Sequence, residues 1–186
     1  MRQEIRVIGI DDGPFFKFRE GKTLIVGTLY RGGKMMDGLL STTAQVDGSD
    51  STTKIARMIN RSKFRKQVRA ILLDGITIGG FNVVNIQKLH EKTGIPVIAV
   101  VRRKPDIKKI IKTLKELGMN RKAKLIETMP EPQRAGKVWV QTAGTSLERA
   151  KEIIKITTTY ADIPEPLRIA HIIAAGIIRG ESRGRA

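Results

Sequence analysis

The chain contains no cysteine, which excludes disulfides, thiolate metal sites and cysteine nucleophiles. Aromatic residues make up 4% of the 186 positions, too few for a platform that stacks successive bases. There are two histidines, His90 and His171, and no Ser–His–Asp arrangement can be placed from their spacing. No apolar run is long enough to span a bilayer. The N-terminus alternates polar and apolar residues and lacks the apolar core of an export signal. A cytoplasmic location with no membrane partner is therefore the default expectation. Acidic residues are the last shortage, at 18 Asp and Glu against 35 Lys and Arg, a net charge of +17.

That imbalance is the loudest bulk signal. A strongly positive field attracts polyanions and speeds their association, so nucleic acid, DNA or RNA, is the expected partner. A merely solvated surface rich in Lys, Arg and Glu would be more balanced in sign. Hydrophobic content of 40% is ordinary for a globular protein. The length suits one domain over 1–186, closed by a short basic tail, "ESRGRA", from about 181.

Three apolar segments, 4–10, 22–30 and 38–46, read as successive strands, with the two glycines of "RGGK" (31–34) as a hairpin turn. A polar cluster, "GSDSTT", then opens a helix carrying Ile55, Met58 and Ile59. Residues 68–75 and 95–102 read as buried strands, and 81–94 as a helix between them that stops at Gly94. This order implies parallel pairing with a right-handed crossover. Residues 104–118 form the clearest helix, with an apolar stripe of Ile107, Ile110, Ile111, Leu114 and Leu117 and lysines over the rest. Strands are expected at 124–128 and 137–142. "TSLE" (145–148) fits a capping box for a helix to about Ile156, and 164–180 continues as an apolar helix. The expected fold class is α/β: an antiparallel three-strand start, then βαβ units in a mixed sheet covered by helices.

Two of these strands end on aspartate. "RVIGIDDGPF" stops at Asp11 and Asp12, and "AILLDGITIGGF" stops at Asp74. Asp-Gly is a common turn opener, so each aspartate alone fits a turn. If the two strands are parallel neighbours, however, Asp11 and Asp74 emerge at one edge of the sheet. Two carboxylates that close repel unless a cation lies between them, and Mg²⁺ or Mn²⁺ suits such oxygen ligands. By strand alternation Asp12 points to the other face unless the following turn bends it back. Asp47 and Asp50 follow the third strand, and Asp50 can be a helix N-cap, an outer ligand or both. "GITIGGF" is neither a dinucleotide fingerprint nor a P-loop. His90 reads as a surface or packing residue, whereas His171 can face the core or the site.

Taken together, "GIDDG", "LLDGITIGG", "LHEKTGIPVIAVVRRK" and "IPEPLRIAH" resemble endonuclease V. The "GIDDGPF" start and the "RIAHIIAAGIIRGESRGRA" end look closer still to an uncharacterised, mostly archaeal family related to that enzyme. The resemblance implies a ribonuclease H-like fold and Mg²⁺-dependent cleavage of nucleic acid. It puts Asp11 at the first-strand catalytic aspartate and Asp74 at the aspartate of the enzyme's Val-Asp-Gly motif. It sets Asp50 near the place of the catalytic glutamate and Arg102 at that of a lysine near the reacting phosphate. The enzyme's Phe-Arg-Glu and its Pro-Tyr-Ile-Pro wedge are absent, and "GFN" (80–82) replaces its His-Pro-Arg.

The chain is therefore expected to be a metal-dependent nuclease. Asp11, Asp74, Asp50 and Asp12 are the candidate Mg²⁺ or Mn²⁺ ligands, and Arg102, Arg103, Lys104 and Lys108 the candidate backbone grip. The rival is a nucleic-acid-binding module that keeps the fold without the chemistry.

Overall fold

The computed structural model describes residues 4–15 and 21–183. The last three residues of the basic tail expected from 181 lie outside the described residues. The elements follow in the order β1 (Arg6–Asp12), β2 (Lys22–Arg31), β3 (Met35–Gln45), α1 (Ser51–Asn60), β4 (Ala70–Asp74), β5 (Thr77–Ile78), β6 (Asn82–Val83), α2 (Ile86–Thr93), β7 (Val97–Val101), α3 (Ile107–Glu116), α4 (Asn120–Glu127), β8 (Gln133–Ala135), β9 (Val138–Ala143), α5 (Leu147–Thr157) and α6 (Glu165–Arg179).

Seven strands make one sheet in the order β3-β2-β1-β4-β7-β9-β8, and β5 and β6 form a separate hairpin. β1, β2 and β3 are antiparallel, as expected. β1 pairs β4 in parallel, and β4 pairs β7 in parallel, through helical crossovers. β9 then runs antiparallel to β7.

Alternation along the central strands sends side chains to two cores. Ile8, Ile10, Ile71 and Leu73 face α1 and α2, packing with Ile55, Ile59, Ile86 and Leu89. Val7, Ala70, Leu72 and Ile98 face the other way, packing with Ala150 and Ile153 of α5 and Leu167 of α6. Gly9 lies on this second face. A Cβ there would run into the backbone of Pro166, so only glycine lets α6 approach β1 this closely. Thr28 Oγ1 donates to the Pro166 carbonyl at 2.7 Å and fixes the same helix start.

Four local expectations are corrected. The strand expected at 124–128 is helix α4, whose Ala, Lys, Leu and Glu residues are strong helix formers. The helix expected from 81 begins at Ile86, because Asn82–Val83 pair with Thr77–Ile78 around the Gly79–Gly80 turn. Asn85 caps that helix, its side chain accepting from Lys88 N at 2.9 Å. The α5 cap is Ser146 rather than Thr145, and Thr145 Oγ1 is buried without a hydrogen-bond partner. Leu117 ends the stripe of α3 exposed, beyond the last helical residue.

Candidate functional site

The register of the two central strands builds the site. Ile10 pairs with Leu73, so the next residues along parallel β1 and β4, Asp11 and Asp74, come out side by side. Both lie in phase with Val7, Gly9, Ala70 and Leu72, on the face covered by α6. The close approach of α6 at Gly9 carries its next turns over Asp11, and His171 Nδ1 sits 2.8 Å from Asp11 Oδ2. Ligand atoms of Asp11, Asp74 and His171 all fall within 4.8 Å of one another. This is the one such group of three among the described residues.

Asp11 is buried, and both its oxygens are engaged. Oδ1 accepts from Asp12 N at 2.8 Å and Oδ2 faces the imidazole. Each carboxylate oxygen has a second lone pair, so coordination capacity remains. Asp12 points to the opposite face, where its Oδ2 accepts from Gly79 N at 2.9 Å. It thereby ties the strand end to the glycine turn of the β5–β6 hairpin.

Charge is poorly balanced here. Burial, then the negative charge of Asp11, pushes the Asp74 carboxyl up to about 6, against the opposing pull of His171 and Arg102. Burial, then Asp11, pushes Asp12 up to about 7, and Asp74 adds to the rise. His171 is held above its ordinary value by its hydrogen bond to Asp11, although burial opposes this. Three carboxylates thus crowd one strand edge with one imidazole and one guanidinium to offset them. A divalent cation would relieve that repulsion, and two carboxylates with one imidazole form a donor set that suits Mn²⁺ and tolerates Mg²⁺. The residues present therefore fit such an ion.

Asp50 stands outside this group. It occupies the N-cap position of α1 without a side-chain cap bond. Instead its Oδ1 accepts from Gln45 N at 3.1 Å and from Asn82 Nδ2 at 2.7 Å. Asn82 Oδ1 in turn accepts from Ser51 N at 3.1 Å, so the helix start is held through Asn82. Asp47, in the left-handed region at φ 51°, accepts from Phe81 N at 2.7 Å and clamps the other side of the glycine turn. Arg102, Arg103 and Lys104 follow the end of β7 and are exposed, as is Lys108 in the first turn of α3. The charge of Arg102 acts on Asp74 and on Asp162. His90 takes the packing role, with Nδ1 2.9 Å from the Ile95 carbonyl oxygen.

The sheet order is that of the ribonuclease H-like fold class, which endonuclease V shares. Endonuclease V from Ciona intestinalis, solved with a 24mer DNA containing an inosine followed by a ribo-adenosine, superposes with a TM-score of 0.63 at 17% identity, covering 94% of this chain and 86% of that one. Within that class, a family model described as Endonuclease dU matches residues 3–178, and the chain belongs to this family. A UPF0215 protein of Methanothermobacter thermautotrophicus is 48% identical over 195 residues, covering 100% of this chain and 94% of the relative. The crystal structure of a protein of unknown function from Archaeoglobus fulgidus matches with a TM-score of 0.86 at 40% identity, over 94% of this chain and 99% of that one. No helix among the described residues is long and apolar enough to cross a membrane.

Proposed function

We propose that the chain is a metal-dependent nuclease that hydrolyses phosphodiester bonds in DNA or RNA at the edge where β1 and β4 end. The observation that carries this is the convergence within 4.8 Å of Asp11 and Asp74, from two parallel strands, and His171 from α6. In this reading Asp11 and Asp74 hold Mg²⁺ or Mn²⁺, and Asp12 adds negative charge from the opposite face. His171 joins the ligands or fixes the Asp11 carboxylate through Nδ1. When bound, the divalent cation supplies Lewis acidity and neutralises charge at the phosphate. Arg102 and Arg103 grip the strand backbone beside Asp74, and Lys104 and Lys108 extend that grip to the start of α3. Asp50 acts through the loop that it holds by Asn82 and Gln45. The net charge of +17 draws the polyanion to the site.

The family description makes a strand carrying deoxyuridine the first substrate to offer, and the inosine-containing DNA of the Ciona neighbour the second. The test is cleavage of labelled single-stranded, mismatched, deoxyuridine- and inosine-containing oligonucleotides with Mg²⁺ or Mn²⁺. Wild type should cut at least one of them, and Asp74→Ala should abolish the cut while the protein keeps its circular dichroism spectrum. Binding without any cleavage would favour the non-catalytic module instead.

A further inference from the structure

We propose that Trp139 and Lys104 form a docking place for one unpaired nucleobase of a bound strand. The idea rests on the nuclease reading only in taking that strand's phosphate to lie at the acidic edge. Trp139 is the one tryptophan in the chain. It pairs in register with Val101, the last residue of β7, and β7 in turn pairs Val100 with Asp74. Asp74, the β7 end and Trp139 therefore stand on three adjacent strands at the same edge of the sheet. Adjacent strands lie about 4.8 Å apart, which puts the backbone of Trp139 about 10 Å from that of Asp74 along that edge. The two side chains are on opposite faces of the sheet, so that a bound strand would cross the edge between them. The exposed Arg102 and Arg103 leave the sheet between them.

The ring is turned to a specific place. Val138 and Val140 enter the core under α5 and α6, so Trp139 and Gln141 face the α3 and α4 side. A tryptophan serving the core would be closed over by apolar side chains. This one is half-buried, and Lys104 Nζ lies over it at 5.3 Å from the ring centroid. Lys104 also lines a neighbouring cavity of about 560 Å³, with Lys108, Ile111, Met129, Pro130 and Gln141, and is the link between that cavity and the ring, which is not part of its wall. Three carboxylates share its wall. Asp106 is committed to capping α3 and Glu127 to Lys115 at 2.8 Å, while Glu131 completes the set. Gln141 is buried and spends its Nε2 on the Pro130 carbonyl at 2.8 Å, which leaves its Oε1 as an acceptor. The combination offers a π face, an amide acceptor and two cations, which is the chemistry that receives a base and its phosphate. The scarcity of aromatics rules out a multi-base platform, but a single ring serves a single base.

The lone tryptophan makes the test direct. The full-length protein carrying Asp74→Asn, in EDTA, is titrated with a short oligothymidylate and with an abasic oligonucleotide of equal length, following tryptophan fluorescence and the anisotropy of an end label. Quenching by the thymidylate strand and not by the abasic one is expected. Trp139→Ala should weaken thymidylate binding by about tenfold or more and leave abasic binding unchanged. Trp139→Phe, which keeps a ring and guards against misfolding, should restore most of the affinity. Equal quenching by both strands, or thymidylate affinity unchanged in both variants, would overturn the proposal. Because no cleavage is measured, a chain that cuts nothing but shows base-dependent quenching would sink the nuclease reading alone. A chain that cuts but quenches equally with both strands would sink this one alone.

Discussion

Asp37 and Asp74 are the same residue type at opposite ends of the central sheet, and their surroundings treat them in opposite ways. Asp37 sits by the start of β1, where Arg6 Nε and Arg31 Nη2 reach its carboxylate at 3.1 Å and 3.0 Å. Burial pushes its carboxyl up, but the two arginine hydrogen bonds outweigh that and hold it below the ordinary value. At the other end of β1, burial and then the neighbouring carboxylate of Asp11 push Asp74 up to about 6, and the cations there do not outweigh them. One end of the sheet is a closed charge account and the other is left open. A structural aspartate comes with its counter-ions built in. A crowded group of carboxylates with fewer of them, here one imidazole and one guanidinium, is what the proposed cation would relieve.

The largest expected effect separates the two ends by activity. Asp74→Ala should abolish Mg²⁺- or Mn²⁺-dependent cleavage, whereas Asp37→Asn should leave it near wild type. Equal losses in a gel-based cleavage assay would erase the distinction. Next comes the packing that delivers His171. Gly9→Ala would push α6 off β1 at Pro166. It should cost about 1–3 kcal/mol by denaturant unfolding and weaken Mn²⁺ binding as well, because the helix carries His171. A variant with unchanged stability would show that α6 does not depend on that close approach.

A smaller effect lies in pH. Asp74 and Asp12, raised from 3.8 to about 6 and about 7, bind more protons folded than unfolded between those values. His171 is raised in the same direction. Their contribution to stability is present at low pH and is lost as pH rises through about 6 and 7. The metal-free melting temperature should therefore fall between about pH 4 and about pH 7, and fall less in Asp12→Asn and Asp74→Asn. Asp37 works with the opposite sign: its stabilisation is present above 3.8 and is lost as pH drops below its folded value. The smallest effect is that of Asp37→Asn on stability, about 0.5–1 kcal/mol, because both arginines are about one-third exposed.

How much of this was legible in the sequence follows the range of the interactions involved. β1 and β4 announce themselves as apolar runs that stop at aspartate, and their adjacency follows from the strand–helix–strand order. The elements that were missed are short or misleading in composition. Leu125 and Ile126 in α4 resemble a strand core, while the surrounding Ala, Lys and Glu favour the helix that forms. The β5–β6 hairpin has two residues per strand, and its signal was the Gly79–Gly80 pair followed by the capping Asn85. Asp50 looked like a cap or a ligand because its partners, Gln45 and Asn82, come from the end of β3 and from a hairpin that was itself unrecognised. His171 is 160 residues from Asp11, and no local pattern could join them. The signal available was indirect: a glycine in the middle of β1 implies that something packs close above it, and α6 is what does.

The most direct test of the open end of the sheet is a calorimetric titration of Mn²⁺ into the metal-free protein, run in parallel on Asp11→Asn, Asp74→Asn and Asp37→Asn. Saturable binding by wild type and by Asp37→Asn, with loss of binding in the Asp11 and Asp74 variants, is the predicted result. Wild-type protein that takes up no Mn²⁺, or binding that survives the loss of both Asp11 and Asp74, would contradict the account.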